Sequence, residues 1–204
     1  MIDEDRRKEI YNSAFQFMIE NNISSIPVWT EDICQKLNIE LIRMTDIIRD
    51  TNLQKEDIFK IWGNEDGVMQ AYGEICKIAY NNTMPIHRQR FTIMEEVAHK
   101  LLKHINNERF NIFNQSYDDK IYKRYDEEAR MWAGLVLCPP QYFYSYEKEM
   151  TQNLFKNLYK VSSSCAKVRI DVLCKFESEI KECSLYKSLP KIKIDYYYIK
   201  RVFA

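Results

Sequence analysis

The sequence predicts an α+β fold, mainly helical, with a small antiparallel or mixed sheet. Three observations lead there. Apolar residues recur at helical spacing through most of the chain. Residues 66–80 instead alternate around a turn signal, as the strands of a hairpin do. Only four glycines and five prolines interrupt 204 residues, so tight turns are few.

Taken in order, Ile10, Ala14, Phe17 and Met18 predict a helix over residues 5–20, with Asn21 and Asn22 as its stop. After Pro27, Thr30 is placed to cap a short helix reaching Leu37. Residues 39–42 read as a strand. Asp66 and Gly67 mark a turn, and residues 68–72 and 74–80 alternate as a hairpin with Gly73 at the bend, which gives a small sheet ahead of residue 82. From Arg88 the spacing becomes helical again, over roughly 88–105, 118–136, 140–148, 151–159 and 162–180. Residues 191–204 alternate through Ile192, Ile194, Tyr196 and Tyr198 as a strand whose partner the sequence does not identify. Strands followed by a helical block pack as one domain when a helix is laid across the sheet. The expected organisation is an N-terminal helix (1–22), a central domain (23–160), and a C-terminal helix and tail (161–204) packed on the same unit.

Thirty Lys and Arg balance thirty Asp and Glu, so no global field draws the protein to nucleic acid or to an anionic membrane. There is no evident helix-turn-helix, and direct DNA binding is not expected. The first ten residues lack the apolar run of a signal peptide and no later stretch is long and uncharged enough to cross a bilayer, so a cytoplasmic protein is expected. The six cysteines, Cys34, Cys76, Cys138, Cys165, Cys174 and Cys183, contain no C-x-x-C pair. They read as reduced, buried thiols; the last three, nine residues apart, fall half a turn out of phase on a helix and cannot form one site.

The chemistry concentrates in residues 90–102. On a helix Glu95 and His99 are i and i+4, so they project from one face a turn apart and are placed to share a metal ion. Glu96 stands beside them, at the position of the general base in an H-E-x-x-H peptidase. Taken alone, such a trio is more often a solvated helix face. His104, five residues beyond His99, would lie roughly 140° from that face if the helix continued, so it is not expected to be a ligand. His87 reads as a surface or hinge residue. Tyr117, Tyr122 and Tyr125 are more plausibly structural than oxyanion-binding.

Two stretches tip the balance. Residues 90–99, R-F-T-I-M-E-E-V-A-H, resemble the R-F-T-I-A-H-E-L-G-H segment of the ImmA/IrrE metallopeptidase family. Residues 128–139, E-A-R-M-W-A-G-L-V-L-C-P, resemble its E-A-N-x-F-A-A-x-L-L-M-P helix. Weaker agreement lies at residues 26–28 and 158–163, so the resemblance covers about residues 20–175. It implies a zincin-like fold, a metal site of Glu95, His99 and Glu128, and Glu96 as base. It also implies a protein partner, typically a helix-turn-helix repressor whose inactivation releases genes of a phage, a mobile element or a stress response. Glu127 is the rival of Glu128; the apolar stripe Ala129, Trp132, Ala133 and Val136 favours Glu128 as the inward residue.

The departure is Glu95, where the family has its first His. Two carboxylates and one imidazole cancel the charge of a zinc ion, whereas two imidazoles and one carboxylate leave a positive charge to acidify water. Oxygen donors also weaken discrimination against manganese or magnesium. Zinc, manganese and an empty site are therefore three separate expectations. The rival function is a degenerate peptidase fold that sequesters its partner uncut, and a toxin–antitoxin component is a third.

Overall fold

The computed structural model describes residues 2–72, 75–104, 111–112 and 119–195. In chain order the elements are α1 (Glu4–Glu20), β1 (Ser25–Ile26), α2 (Thr30–Lys36), β2 (Ile39–Arg43), α3 (Met44–Thr51) and α4 (Lys55–Trp62). They continue with β3 (Gly67–Tyr72), β4 (Ile75–Tyr80), α5 (Ile86–Leu101), β5 (Asn111–Ile112) and α6 (Asp119–Leu137). The last are α7 (Pro140–Ser145), α8 (Gln152–Tyr159), α9 (Ser163–Lys175), α10 (Glu177–Glu182) and β6 (Lys193–Ile194). The fold is α+β and mainly helical, as expected. No described helix is long and apolar enough to cross a membrane.

The chain forms two compact units, Trp29–Arg130 and, separately, Ile2–Val28 together with the chain from Met131 onward. The first holds a mixed sheet in the order β2-β4-β3-β5. Strands β2 and β4 run parallel, with Ile39 opposite Cys76 and Leu41 opposite Ile78. Strand β3 is antiparallel to both β4 and β5. The hairpin read from the alternation is present; its expected bend at Gly73 lies outside the described residues.

Side chains alternate across a strand, so paired residues in register share a face. Val68 is opposite Ala79, and both pack into a cluster with Met44, Ile58 and Trp62 from α3 and α4. Gly67 and Met69 face the other way, towards α5. A Cβ on Gly67 would lie 3.0 Å from the Thr92 methyl and 2.7 Å from the Ala79 carbonyl oxygen, so the missing side chain is what lets α5 approach the strand. The first unit thus has α5 on one face of its sheet and α3 with α4 on the other.

Helices α3 and α4 are not expected from the sequence. Each ends in a left-handed residue, Asn52 at φ 58° and Gly63 at φ 73°, and so has a helix-ending signal in the sequence. Thr30 opens α2 but does not cap it; the capping position is Trp29, which makes no side-chain cap bond. This corrects the expected cap by one residue.

In the second unit α1 carries six buried residues, among them Ile10, Ala14, Phe17 and Met18, and Asn21 ends it. Phe17 packs against Trp132, whose indole N–H donates to Ser13 Oγ at 3.1 Å. Ser162 caps α9 by accepting from the Cys165 amide. The partner of the expected C-terminal strand is β1, paired in parallel with β6; Tyr196 and Tyr198 lie outside the described residues. Buried thiols hold for Cys34, Cys76 and Cys138 only: Cys174 is exposed, and Cys165 and Cys183 are half-buried. Cys165 and Cys174 lie on α9 and Cys183 just past the end of α10, so a nine-residue spacing carries no burial information.

Trp62 is nearly fully buried in the α3–α4 cluster. Trp62→Ala is expected to destabilise the first unit by about 3–5 kcal/mol. The check is urea denaturation followed through this unit's hydrogen-exchange protection; an unchanged midpoint would mean that the two helices do not pack as described.

Candidate functional site

Helix α5 presents Glu95, Glu96 and His99 within one turn and a half, and its end brings in His104, which was not expected at the site. The helix stops at Leu101, four residues before the expected end. Lys103 takes a left-handed conformation at φ 59°. The His104 amide then donates to the His99 carbonyl at 2.9 Å, and the Lys103 amide to the Lys100 carbonyl at 3.1 Å. These two bonds are the Schellman closure of a helix, here with Lys in the place usually taken by Gly. The chain turns back, so the rotation expected of a continuing helix does not apply. His104 Nδ1 lies 3.0 Å from His99 Nδ1. No glycine or asparagine marks that stop, so the sequence carried no signal for it.

Helix α6 supplies the rest. Glu128 is fully buried while Glu127 is exposed, which decides which of the two faces inward. Glu128 Oε2 lies 3.0 Å from His104 Nε2, and Glu128 Oε1 accepts from Arg124 Nε at 3.0 Å. The His104 ring stacks on Tyr125, with centroids 4.1 Å apart. A carboxylate at Glu128 requires His104 Nε2 to donate. A single proton then occupies the Nδ1···Nδ1 contact, and its position decides whether His99 Nε2 carries a lone pair or a proton.

Glu95 takes another route. Arg130 Nε donates to Glu95 Oε1 at 3.1 Å, and Arg130 Nη2 lies 2.6 Å from Asp126 Oδ2. Glu96 Oε2 accepts the backbone N–H of Met69 in β3 at 2.9 Å. The structure therefore gathers His99, His104 and Glu128 into a hydrogen-bonded chain, and pairs Glu95 and Glu96 elsewhere. Among the described residues no group of three or more His, Cys, Asp or Glu side chains is arranged to hold a metal ion. Of the tyrosines, Tyr125 supports His104, Tyr122 is half-buried, and Tyr117 lies outside the described residues. His87 lies within the first turn of α5.

The family description of the IrrE N-terminal-like domain, peptidase M78, matches residues 49–171, more than half of the chain. The chain belongs to that family. Both resembling stretches fall inside the match, and so do α5, the His104 turn and the inward face of α6. No curated protein and no solved structure matches the chain. Membership carries the peptidase-like fold of the family.

Burial governs the electrostatics of this family member's site. It pushes the Glu95 carboxyl up to about 7, with Arg130 opposing and Asp126 adding to the rise. It pushes Glu96 up to about 8, where the neighbouring Glu95 reinforces it and the Met69 amide opposes it. It lowers His99 to about 3, helped by the adjacent His104, so His99 is neutral at physiological pH. Burial also raises Asp126.

A carboxyl whose folded pKa exceeds its unfolded value stabilises the fold fully below the unfolded pKa and loses that contribution as pH rises through the folded one. For Glu96 the window runs from the ordinary 4.5 to about 8. Without metal, stability is expected to fall across that window by an amount on the order of a few kcal/mol. Glu96→Gln is expected to flatten the fall, as read by chemical denaturation in chelator at several pH values. Parallel profiles for the two proteins would contradict the burial of an ionisable group at this position.

Proposed function

We propose that this chain is a peptidase-like regulatory domain that acts on a helix-turn-helix transcriptional repressor of a phage, mobile element or stress response, by binding it and not by metal-dependent cleavage. The observation that carries the reading is the pairing of Glu95 with Arg130. In the H-E-x-x-H pattern that residues 90–99 resemble, the first position supplies a metal ligand. Here it holds a carboxylate, and a guanidinium stands where a cation would otherwise be held. The other two ligands implied by the resemblance, His99 and Glu128, are joined through His104. As placed, these residues do not fit a zinc ion, and manganese, although suited to oxygen donors, would meet the same guanidinium. The repressor as partner is supported by the family resemblance alone.

A second reading, an endopeptidase, is favoured by Glu96. Its carboxyl stands at the general-base position with a pKa of about 8, suited to holding and releasing a proton near neutral pH.

Protein purified without chelator is expected to contain clearly substoichiometric zinc and manganese. Glu95→His, which restores the imidazole of the pattern, is expected to tighten zinc binding roughly tenfold or more. A helix-turn-helix repressor encoded beside the gene is expected to be retained on the immobilised chain at full length. Fragments of that repressor whose appearance is abolished by chelator and by Glu96→Gln would replace this reading with the endopeptidase.

A further inference from the structure

The sheet of the first unit ends on a strand with one side open. Strand β2 pairs in parallel with β4 through Ile39–Arg43, and among the described residues no strand pairs with its other side. An edge strand turns the N–H and C=O groups of alternate residues outward, where an extended chain can take them up. Strand β4 separates β2 from β3, whose Met69 amide is held by Glu96, so this edge is distinct from the α5–α6 site.

A cavity of about 620 Å³ opens at the start of that strand, between α2 and the first residues of β2 and β4. Its apolar side includes Ile39, Leu41 and Ile75, and Ile75 is 61% exposed, the highest among the large apolar side chains described. Its polar side includes Glu31 and Gln35, a turn apart on α2, and Glu40 from β2. Among the described residues no lysine or arginine lines it. Lys77 reaches Glu40 from β4 at 2.8 Å, but both side chains are exposed, and such a pair contributes little and is readily exchanged. Glu31 is exposed and accepts the Thr30 hydroxyl at 3.1 Å, a donor that brings no counter-charge.

The register dictates what fits. Leu41 is opposite Ile78, and Ile78 opposite Met69, so Ile39 and Leu41 lie on the sheet face towards α5 and Glu40 on the other. A strand added beside β2 follows the same alternation, with apolar side chains beside Ile39 and Leu41 and a cationic one beside Glu40. We infer that the β2 edge docks an extended peptide segment of a partner protein in which apolar residues alternate with lysine or arginine, one apolar side chain being seated in the cavity. In such strand addition the backbone pairing supplies affinity and the alternate side chains supply selectivity. A second copy of this chain does not meet the requirement. The cation of β2, Arg43, lies on the face of Ile39 and Leu41, so self-pairing with matched sheet faces brings no cation to Glu40.

The experiment titrates the whole chain against a short, capped, fluorescein-labelled peptide of alternating lysine and valine, with anisotropy as the readout. Saturable binding is expected. Exchanging the peptide's lysines for glutamate and methylating its backbone nitrogens are each expected to weaken binding roughly tenfold or more. Glu31→Lys and Glu40→Lys, both at exposed positions, are each expected to weaken it about fivefold without a change in Tm. Hydrogen exchange is expected to slow within residues 39–43 when the peptide is added and to stay unaltered in β3 and α5. Binding that survives N-methylation, or protection of β3 and α5 in place of β2, would overturn the assignment. So would outward amides of β2 already protected in the free chain, which would give the edge to a segment of this chain, or a dimer that the peptide dissociates, which would give it to a second copy. None of these readouts depends on metal content or on a repressor, so failure here and failure of the proposed function are distinguishable.

Discussion

The contact between α5 and β3 is the constraint from which the first unit takes its arrangement. It has two fixed points on each element. Gly67 meets Thr92, and the Met69 amide donates to Glu96. On the strand these positions are two apart, a rise of about 6.6 Å; on the helix they are four apart, a rise of about 6.0 Å. The two spacings nearly coincide, so helix and strand run side by side through both points, and both strand residues belong to the same face. A side chain at 67 would separate the elements. A residue at 96 unable to accept a hydrogen bond would leave the Met69 amide without its acceptor. Everything else that α5 presents, Glu95 and His99 included, is oriented by this seating.

That seating fixes Glu96 as a structural acceptor as much as a candidate base. Burial is the main cause that raises Glu95, Glu96 and Asp126; Asp126 adds to the rise of both glutamates, and Glu95 to that of Glu96. In a metal centre a divalent ion would offset this accumulation of negative charge. Here Arg130 bridges Glu95 and Asp126. An arginine suits that role because its planar fork reaches two carboxylates at once, but it offers no electrophile and no open coordination position. The acidic side chains of α5 and α6 at this corner share one guanidinium as their partner.

Much of the fold was legible from the sequence because its signals are local. The helical spacing of α1, the alternation of β3 and β4, and the apolar stripe of α6 each depend on neighbours a few residues away. The same stripe pointed Glu128 inward and left Glu127 outside. Helices α3 and α4 were harder to read, since each makes only two turns and gives little periodicity to find. The pairing of β6 with β1 joins segments far apart in the chain, and nothing in either two-residue strand specifies the other. At the candidate site, the i, i+4 relation of Glu95 and His99 was readable. Their partners were not: Arg130 comes from a different helix, and the Met69 amide is backbone, which has no identity in a sequence.

His104 is the instructive case. An ideal helix extended past Lys100, where no glycine, asparagine or proline advises a stop, puts it on the wrong face. A lysine in the left-handed region costs about 1 kcal/mol relative to glycine, so local preference alone would not choose that turn. What compensates is tertiary. The turn delivers an imidazole onto Tyr125, against His99 and into the Glu128 carboxylate, satisfying buried polar groups that would each be unfavourable alone. A backbone held against its own preference persists only where the surroundings over-determine it. Lys103 marks such a place, where the demands of the buried His99–His104–Glu128 chain outweigh the preference of the residue that makes it.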